Sequence, residues 1–345
     1  MSDPTLSSVA RRATAQDVAD LAGVSRSAVS LTLNGRADGN IAPAKQAAIL
    51  EAAHQLRYTP NAVALSLRKQ QTRTLGVLTW SGVTGLPLSL LGAVNAAGNQ
   101  AGYLLLNVNV RRRPELVDTL LDRRVDGFVV VAPELGSYAA PEALAALPTV
   151  LVNCFDDSHA LTALVPDEVG AGRAAVRRLR QAGHTEIAVL ADAGGGMQSE
   201  RRIAGIRAEL AVHGLPEPRL LSTTRDIRGG HRAARAALTG DDPPTALVTT
   251  HERLGVGAVL AASELGWQVP DDVSLVSLDD GEDLGGELVP RLTVVRRPDA
   301  ALASYGVSTL VEMLRLGVGP ARQLSFVCEV VEGDSVRPGG PGPTR

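Results

Sequence analysis

The sequence predicts an N-terminal all-α helix-turn-helix domain and a hinge helix, joined to a two-lobed α/β core built on parallel sheets. Three observations lead there. Residues 14–35 read as two short capped helices around a glycine turn. Residues 60–68 read as one more helix, too short to be stable alone and set directly before a strand. From Thr74 onward, short apolar runs alternate with Ala- and Leu-rich helical stretches, the pattern of doubly wound lobes. The expected divisions are a head at 13–59, a hinge and linker at 60–73, a core at 74–337 and a disordered Gly/Pro-rich tail at 338–345.

In the head, Thr14 followed three residues later by Asp17 resembles a capping box, and Val18, Leu21 and Ala22 give one apolar face up to Gly23. Ser25 is placed to cap a second helix with Ala28, Val29 and Leu33 inward, ending at a left-handed Asn34-Gly35 stop. That leaves Arg26, Ser27, Ser30 and Leu31 outward near the helix N-terminus, where a recognition helix meets base edges. A third helix starts near Pro43 and carries Ile49, Leu50, Ala53 and Leu56 at helical spacing.

The hinge begins with Pro60, suited to a first helical position, and places Ala62 and Ala64 on one side and Val63 and Leu67 on another. About two turns of helix nucleate poorly in water, so this segment is expected to fold only against a partner surface.

In the core, 75–79, 103–108, 127–132 and 149–153 read as buried parallel strands of one lobe. A second set comprises 186–191, 246–250 and 274–279. A ligand cleft is expected near the carboxyl ends of these strands.

The 345-residue chain is 45% hydrophobic and 21% charged, enough for two or three domains with a sizeable core. No stretch approaches the ~18 uncharged apolar residues of a membrane span. Met1–Arg12 has no signal-peptide core, so a cytoplasmic protein without a membrane partner is expected. Cys154 and Cys328, far apart and outside any CxxC pair, are expected to be buried small hydrophobes. Residues 1–73 carry a net charge of +4 and the remainder −7. Phosphate attraction confined to one end requires such a basic head on an acidic body.

These residues resemble the LacI/GalR transcriptional repressors. The resemblance runs through Asp17-Val18-Ala19, Ala22-Gly23-Val24-Ser25, Val29-Ser30 and Leu33-Asn34-Gly35, then Tyr58-Thr59-Pro60-Asn61-Ala62, Ser66-Leu67-Arg68 and Thr72 to Val77. It implies a homodimer on a pseudo-palindromic double-stranded DNA operator, with recognition helices in the major groove and paired hinge helices in the minor groove. The implied DNA contacts are Thr14, Ser25, Arg26, Ser27, Ser30, Leu31 and Asn34 from the head, with Asn61, Ala64, Leu67 and Arg68 from the hinge. Leu67 stands in the place of the wedge that opens a base step. Leu31 departs from the polar residue usual at its position and suits a thymine methyl rather than a guanine edge.

The same resemblance implies a core similar to periplasmic sugar-binding proteins, crossed three times by the chain, with a small effector between the lobes. Its implied contacts are Trp80, Asn153, Arg202, His251 and Asp279. Arg202 opens Arg202-Ile203-Ala204-Gly205 and would clamp ligand hydroxyls or a carboxylate. Here too the chain departs from the family. His251-Glu252 stands where Asn-Asp is usual, Leu278 replaces an aromatic before Asp279, and Trp80-Ser81-Gly82-Val83 lacks the usual Asn-Pro-aromatic. Trp80 suits stacking on a sugar ring or base, or an edge-of-core role. The effector is therefore expected to be sugar-like or nucleoside-like; the alternative is a DNA-binding regulator with a vestigial pocket, constitutive or controlled by a protein partner.

Enzymatic readings find little support. The only lysines, Lys45 and Lys69, follow no phosphate-binding glycine loop. Gly194-Gly195-Gly196 reads as a plain βα loop, and His251-Glu252 lacks the second His of a zinc protease. The acidic run Asp279 to Asp283 has the spacing of a solvated turn. No cofactor or metal is expected. A solute-binding protein would share the core but not the basic head.

Overall fold

The computed structural model describes residues 13–59, 71–79, 88–111, 113–138, 144 and 147–337, in two compact units that divide between Thr72 and Arg73. In the first, α1 (Ala15–Ala22) opens on the expected capping box, Thr14 and Asp17 satisfying each other's backbone N–H. Gly23, at φ 64°, stops it in the left-handed region that glycine enters without a Cβ penalty. Ser25 accepts a hydrogen bond from the Ala28 N–H and caps α2 (Arg26–Leu33). The left-handed stop falls on Gly35 alone, since Asn34 has φ −99°. Pro43 begins α3 (Pro43–Gln55).

Val18, Ala19, Ala28, Val29, Ile49, Ala52 and Ala53 form the head's core, with Val24, Leu33, Leu56 and Tyr58 packed against it. Two expected core residues are instead exposed, Leu21 at 52% and Leu50 at 55%. The buried stripe runs through Val18, Ala19 and Ala22 on α1 and through Ile49, Ala52, Ala53 and Leu56 on α3. At 100° per residue both leucines sit about 100° from its centre, off a narrow core.

The second unit begins with β1 (Thr74–Thr79), α4 (Leu88–Gln100), β2 (Leu104–Asn109), α5 (Leu116–Asp122) and β3 (Gly127–Val131). It continues through β4 (Ser137–Tyr138), β5 (Thr149–Val152), β6 (Phe155–Asp156) and β7 (Thr162–Pro166). The chain then crosses to a second lobe of α6 (Glu168–Gln181), β8 (Ile187–Asp192), α7 (Gly196–Val212), β9 (Arg219–Thr223), α8 (Ile227–Leu238), β10 (Ala246–Thr249), α9 (Glu252–Glu264), β11 (Ser274–Ser277) and β12 (Thr293–Arg296). It returns to the first lobe for α10 (Asp299–Leu316) and β13 (Gln323–Phe326), and finishes in the second with β14 (Glu329–Val331). Three crossings result, as the resemblance implied.

The first sheet has the order β13-β7-β5-β3-β1-β2, every neighbouring pair parallel. The second has the order β14-β12-β11-β10-β8-β9, parallel except where β14 pairs antiparallel with β12. Central strands such as β3 and β5 are buried along their whole length, as sheets covered on both faces require. The expectation of a buried strand at 103–108 needs correction. There β2 forms an outer edge, with Leu104 62% exposed and no residue fully buried, Leu105 packing against one cluster of the core and Leu106 and Val108 against another. Cys154 and Cys328 are free thiols and buried, as expected. Among the described residues no helix is long and apolar enough to cross a membrane.

Candidate DNA-reading face and candidate effector cleft

On α2 the inward residues Ala28 and Val29 fix the helix's rotation, and this turns Arg26, Ser27 and Ser30 to the surface. Thr14 and Ser25 are exposed at the N-termini of the first two helices, where backbone N–H groups and the dipole favour an anion such as phosphate. Leu31 is half-buried next to the exposed Ser30. Asn34 spends its amide on the Ser30 carbonyl, 2.5 Å away, and so secures the end of the helix. Asn61, Ala64, Leu67 and Arg68, like Trp80 in the core, lie outside the described residues, as do the expected tail and the first twelve residues.

In the core, Asn153, His251 and Asp279 follow the carboxyl ends of β5, β10 and β11. A parallel sheet delivers loops to that end, which is why strand-end polar residues gather there. Asn153 is fully buried with φ 63°; its side-chain N–H donates to the Ala132 carbonyl, and its Oδ1 has no partner among the described residues. His251 caps α9, 7% exposed, with Nδ1 3.1 Å from the Thr250 hydroxyl. Burial, then the neighbouring Arg202 cation, pushes its pKa down to about 3, so the ring is neutral.

Asp279 takes an unusual φ of 147°. Its Oδ1 accepts from the backbone N–H groups of Asp280 and Gly281, at 3.0 and 3.1 Å. Burial works against its charge, but Arg297 and Arg202 outweigh that and hold its pKa below the ordinary carboxylate value. The loop that carries it is pinned by Glu252, whose two carboxylate oxygens accept from the N–H groups of Glu282 and Gly285. The expected solvated acidic turn is instead braced, with Asp280 paired to Arg296 and Glu282 to Arg253.

Arg202 is engaged differently from the expected ligand clamp. Both it and Glu168 are 2% exposed, and they form a bidentate pair, Nε to Oε2 at 2.5 Å and Nη2 to Oε1 at 3.0 Å. Nη1 donates to the carbonyls of Thr250 and Leu278. A guanidinium has five N–H donors, so one is left for anything else. The approach of α6 and α7 makes this pair possible. A Cβ on Gly205 would fall 2.0 Å from the Val169 carbonyl oxygen, and one on Gly172 2.1 Å from that of Arg202. The glycine of the Arg202-to-Gly205 motif therefore serves its arginine.

Several groups around the cleft carry no sequence signal of their own. Glu168 and Gln198 meet at 2.7 Å. Arg297 lies in the second crossing, 7% exposed, bonded through Nε and Nη2 to Asp299. Ser89 donates to the same carboxylate at 2.6 Å. Among the contacts that join the lobes across the strand ends, Arg225 pairs with Glu134, and the Arg201 guanidinium lies 4.5 Å from the centre of the Phe155 ring. The triple glycine after β8 is folded around Asp192, whose carboxylate accepts from the Gly194 N–H at 3.0 Å. A carboxylate inside that loop repels phosphate.

A capped helix-turn-helix head followed by a two-lobed α/β core defines a DNA-binding transcriptional regulator with a sensing domain. Residues 14–61 match the model of bacterial regulatory proteins of the lacI family, and 176–336 match the periplasmic binding protein-like domain. The ribose operon repressor of Escherichia coli (strain K12) is 30% identical over 312 residues, 88% of this chain and 93% of that one. The probable HTH-type transcriptional repressor ExuR of Bacillus subtilis (strain 168) is 29% identical over 94% of this chain and 98% of its own length. The chain belongs to the LacI family of transcriptional repressors and is not an enzyme. In fold, the crystal structure of the Lac repressor dimer bound to operator and the anti-inducer ONPF aligns with a TM-score of 0.78 at 24% identity, covering 94% of this chain and 99% of that one.

Proposed function

We propose that the protein is a cytoplasmic homodimeric repressor that binds a pseudo-palindromic operator and releases or tightens on it as a small effector occupies the interlobe cleft. The observation that carries this is the pairing of an exposed Arg26-Ser27-Ser30 face with a core whose buried Asn153 and His251 and half-buried Asp279 gather at strand ends. Arg26 would read a base edge and Leu31 a thymine methyl, with Thr14, Ser25, Ser27, Ser30 and Asn34 alongside. Asn61, Ala64, Leu67 and Arg68 would engage the minor groove. The effector is sugar-like or nucleoside-like, held by Asn153, His251 and Asp279 over the floor fixed by Arg202, with Trp80 stacking on it. A LacI-family regulator from Enterococcus faecium, similar in fold, was crystallised with bound ribose.

The mechanism is linkage. An effector that prefers one lobe arrangement changes the spacing of the two hinges, and so the folding equilibrium of 60–68 on DNA. Operator binding measured against a panel of sugars and nucleosides tests this. The reading fails for that panel when no compound changes either DNA affinity or melting temperature, the behaviour of a vestigial pocket.

A further inference from the structure

The cleft contains two buried arginines, and they are not equivalent. Arg202 has four of its five N–H groups on protein acceptors, and both oxygens of Glu168 are filled by Arg202 and Gln198. The pair is self-satisfied, and its charges cancel. Arg297 uses only Nε and one Nη2 hydrogen, on Asp299, and its Nη1 meets no acceptor among the described residues. Asp279 is the mirror case: its Oδ1 is filled by two backbone N–H groups, whereas its Oδ2 meets no donor among the described residues.

Asp279 and Arg297 feel each other electrostatically, yet no ion pair within 4.0 Å joins them. Gly281 marks the gap. A Cβ on it would lie 3.4 Å from Asp279 Oδ1, and 3.8 Å from both Arg297 Nη2 and the Ser89 hydroxyl. Three segments therefore converge on one spot: the β11 end of the second lobe, the crossing before α10, and the start of α4 in the first lobe. An open acceptor and an open donor separated by more than a direct bond suit a group that bridges them. A vicinal diol does so, with one hydroxyl donating to the carboxylate and the other accepting from the guanidinium.

The charge around the site decides which diols enter. Arg202 and Arg297 stand against Glu168, Asp279 and Asp299, an excess of one carboxylate. An anionic ligand at this spot would meet that excess with both buried arginines already paired to carboxylates, Glu168 filling the place on Arg202 that a ligand carboxylate or phosphate would take.

Building on the effector-cleft reading above, we propose that Arg297 with Asp279, rather than Arg202, reads the effector, and that Glu168 is a built-in counter-anion that restricts the cleft to uncharged polyhydroxy ligands. Arg202 is a positioning residue that ties α6 and α7 to the β10 and β11 ends.

The Glu168 arm needs no knowledge of the effector. Inorganic phosphate and acetate are titrated into the full-length protein by thermal shift, with chloride as the ionic-strength control. The wild type is expected to respond no more to either anion than to chloride. Glu168→Gln, which frees Arg202 at nearly constant shape, is expected to gain an anion-specific rise in melting temperature that Glu168→Gln/Arg202→Gln lacks. Circular dichroism and ligand-free operator binding report whether each variant folds. A folded Glu168→Gln without that gain overturns the counter-anion role.

The ligand arm pairs neutral compounds with charged derivatives: glucose with glucuronate and glucose 6-phosphate, galactose with galacturonate, ribose with ribose 5-phosphate. A neutral member is expected to bind the wild type, with Arg297→Gln weakening it about ten- to a hundredfold, the loss of a hydrogen bond to a charged group. A derivative that binds as tightly as its neutral parent overturns the selectivity and leaves the effector cleft standing. Failure of every compound on the wild type counts against the effector cleft itself, and the Glu168 arm is still read separately.

Discussion

The Gly205 Cα and the Val169 backbone approach so closely that a methyl group between them would stand 2.0 Å from the Val169 carbonyl oxygen. Because the obstacle is backbone rather than a flexible side chain, a Gly205→Ala protein must part α6 from α7. The expected cost is about 1–3 kcal/mol of stability. It would be accompanied by a weakened Arg202–Glu168 pair and altered effector response. Chemical denaturation would detect it, and an unchanged midpoint would mean that the helices separate freely.

Arg26→Ala is expected to relax preference at one base position in each operator half-site, by roughly 1–3 kcal/mol of discrimination. Binding measured on operators substituted one position at a time distinguishes base reading from a phosphate contact, which would weaken every sequence alike.

For the hinge, Leu67→Ala is expected to weaken specific operator binding by on the order of a few kcal/mol, through loss of the minor-groove wedge, while the core melts unchanged. Equal operator affinity for the two proteins would remove Leu67 from that role.

Glu252 gives a pH signature. Burial, helped by Asp279 and Asp280 and opposed by its two backbone hydrogen bonds, raises its pKa from 4.5 to about 7. The native state thus holds a proton that the unfolded chain gives up earlier. The stability this confers is complete below 4.5 and is lost as pH rises through about 7. His184 and His251, held neutral by burial at about 4 and about 3, act in the opposite sense and cost stability as pH falls below 6.5. The Glu252 contribution is therefore the difference between wild type and Glu252→Gln across the pH range. Calorimetry should show the variant losing less stability than the wild type as pH rises through about 7; parallel curves would contradict the raised pKa.

Much of this architecture is legible in the sequence because local chemistry carries it. Thr14, Ser25, Gly35 and Pro43 mark helix ends through effects confined to a few residues. Strands such as 127–131 are uninterrupted apolar runs. The strands that escape notice are outer ones such as 219–223 and 323–326, whose half-exposed residues blend into loops, and 162–166, which is buried but ends in Pro166. In the cleft, Asn153, His251 and Asp279 were identifiable from their strand-end positions and the family resemblance. Glu168, Gln198 and Arg297 were not, because their importance depends on partners brought together by topology. Glu168 and Arg202 are 34 residues apart, and Arg202 and the Leu278 carbonyl are 76 apart. No local pattern announces that a buried arginine already has its anion.

The final two strands give synthesis a fixed order. The head closes its core with Tyr58, but each core sheet receives an outermost strand only from residues 323–331. Domains fold as they leave the ribosome, from the N-terminus onward. The DNA reader is therefore complete long before the sensor. A chain truncated before β13 would retain the reader but leave both lobes unfinished, so the capacity to respond is the last property this protein acquires.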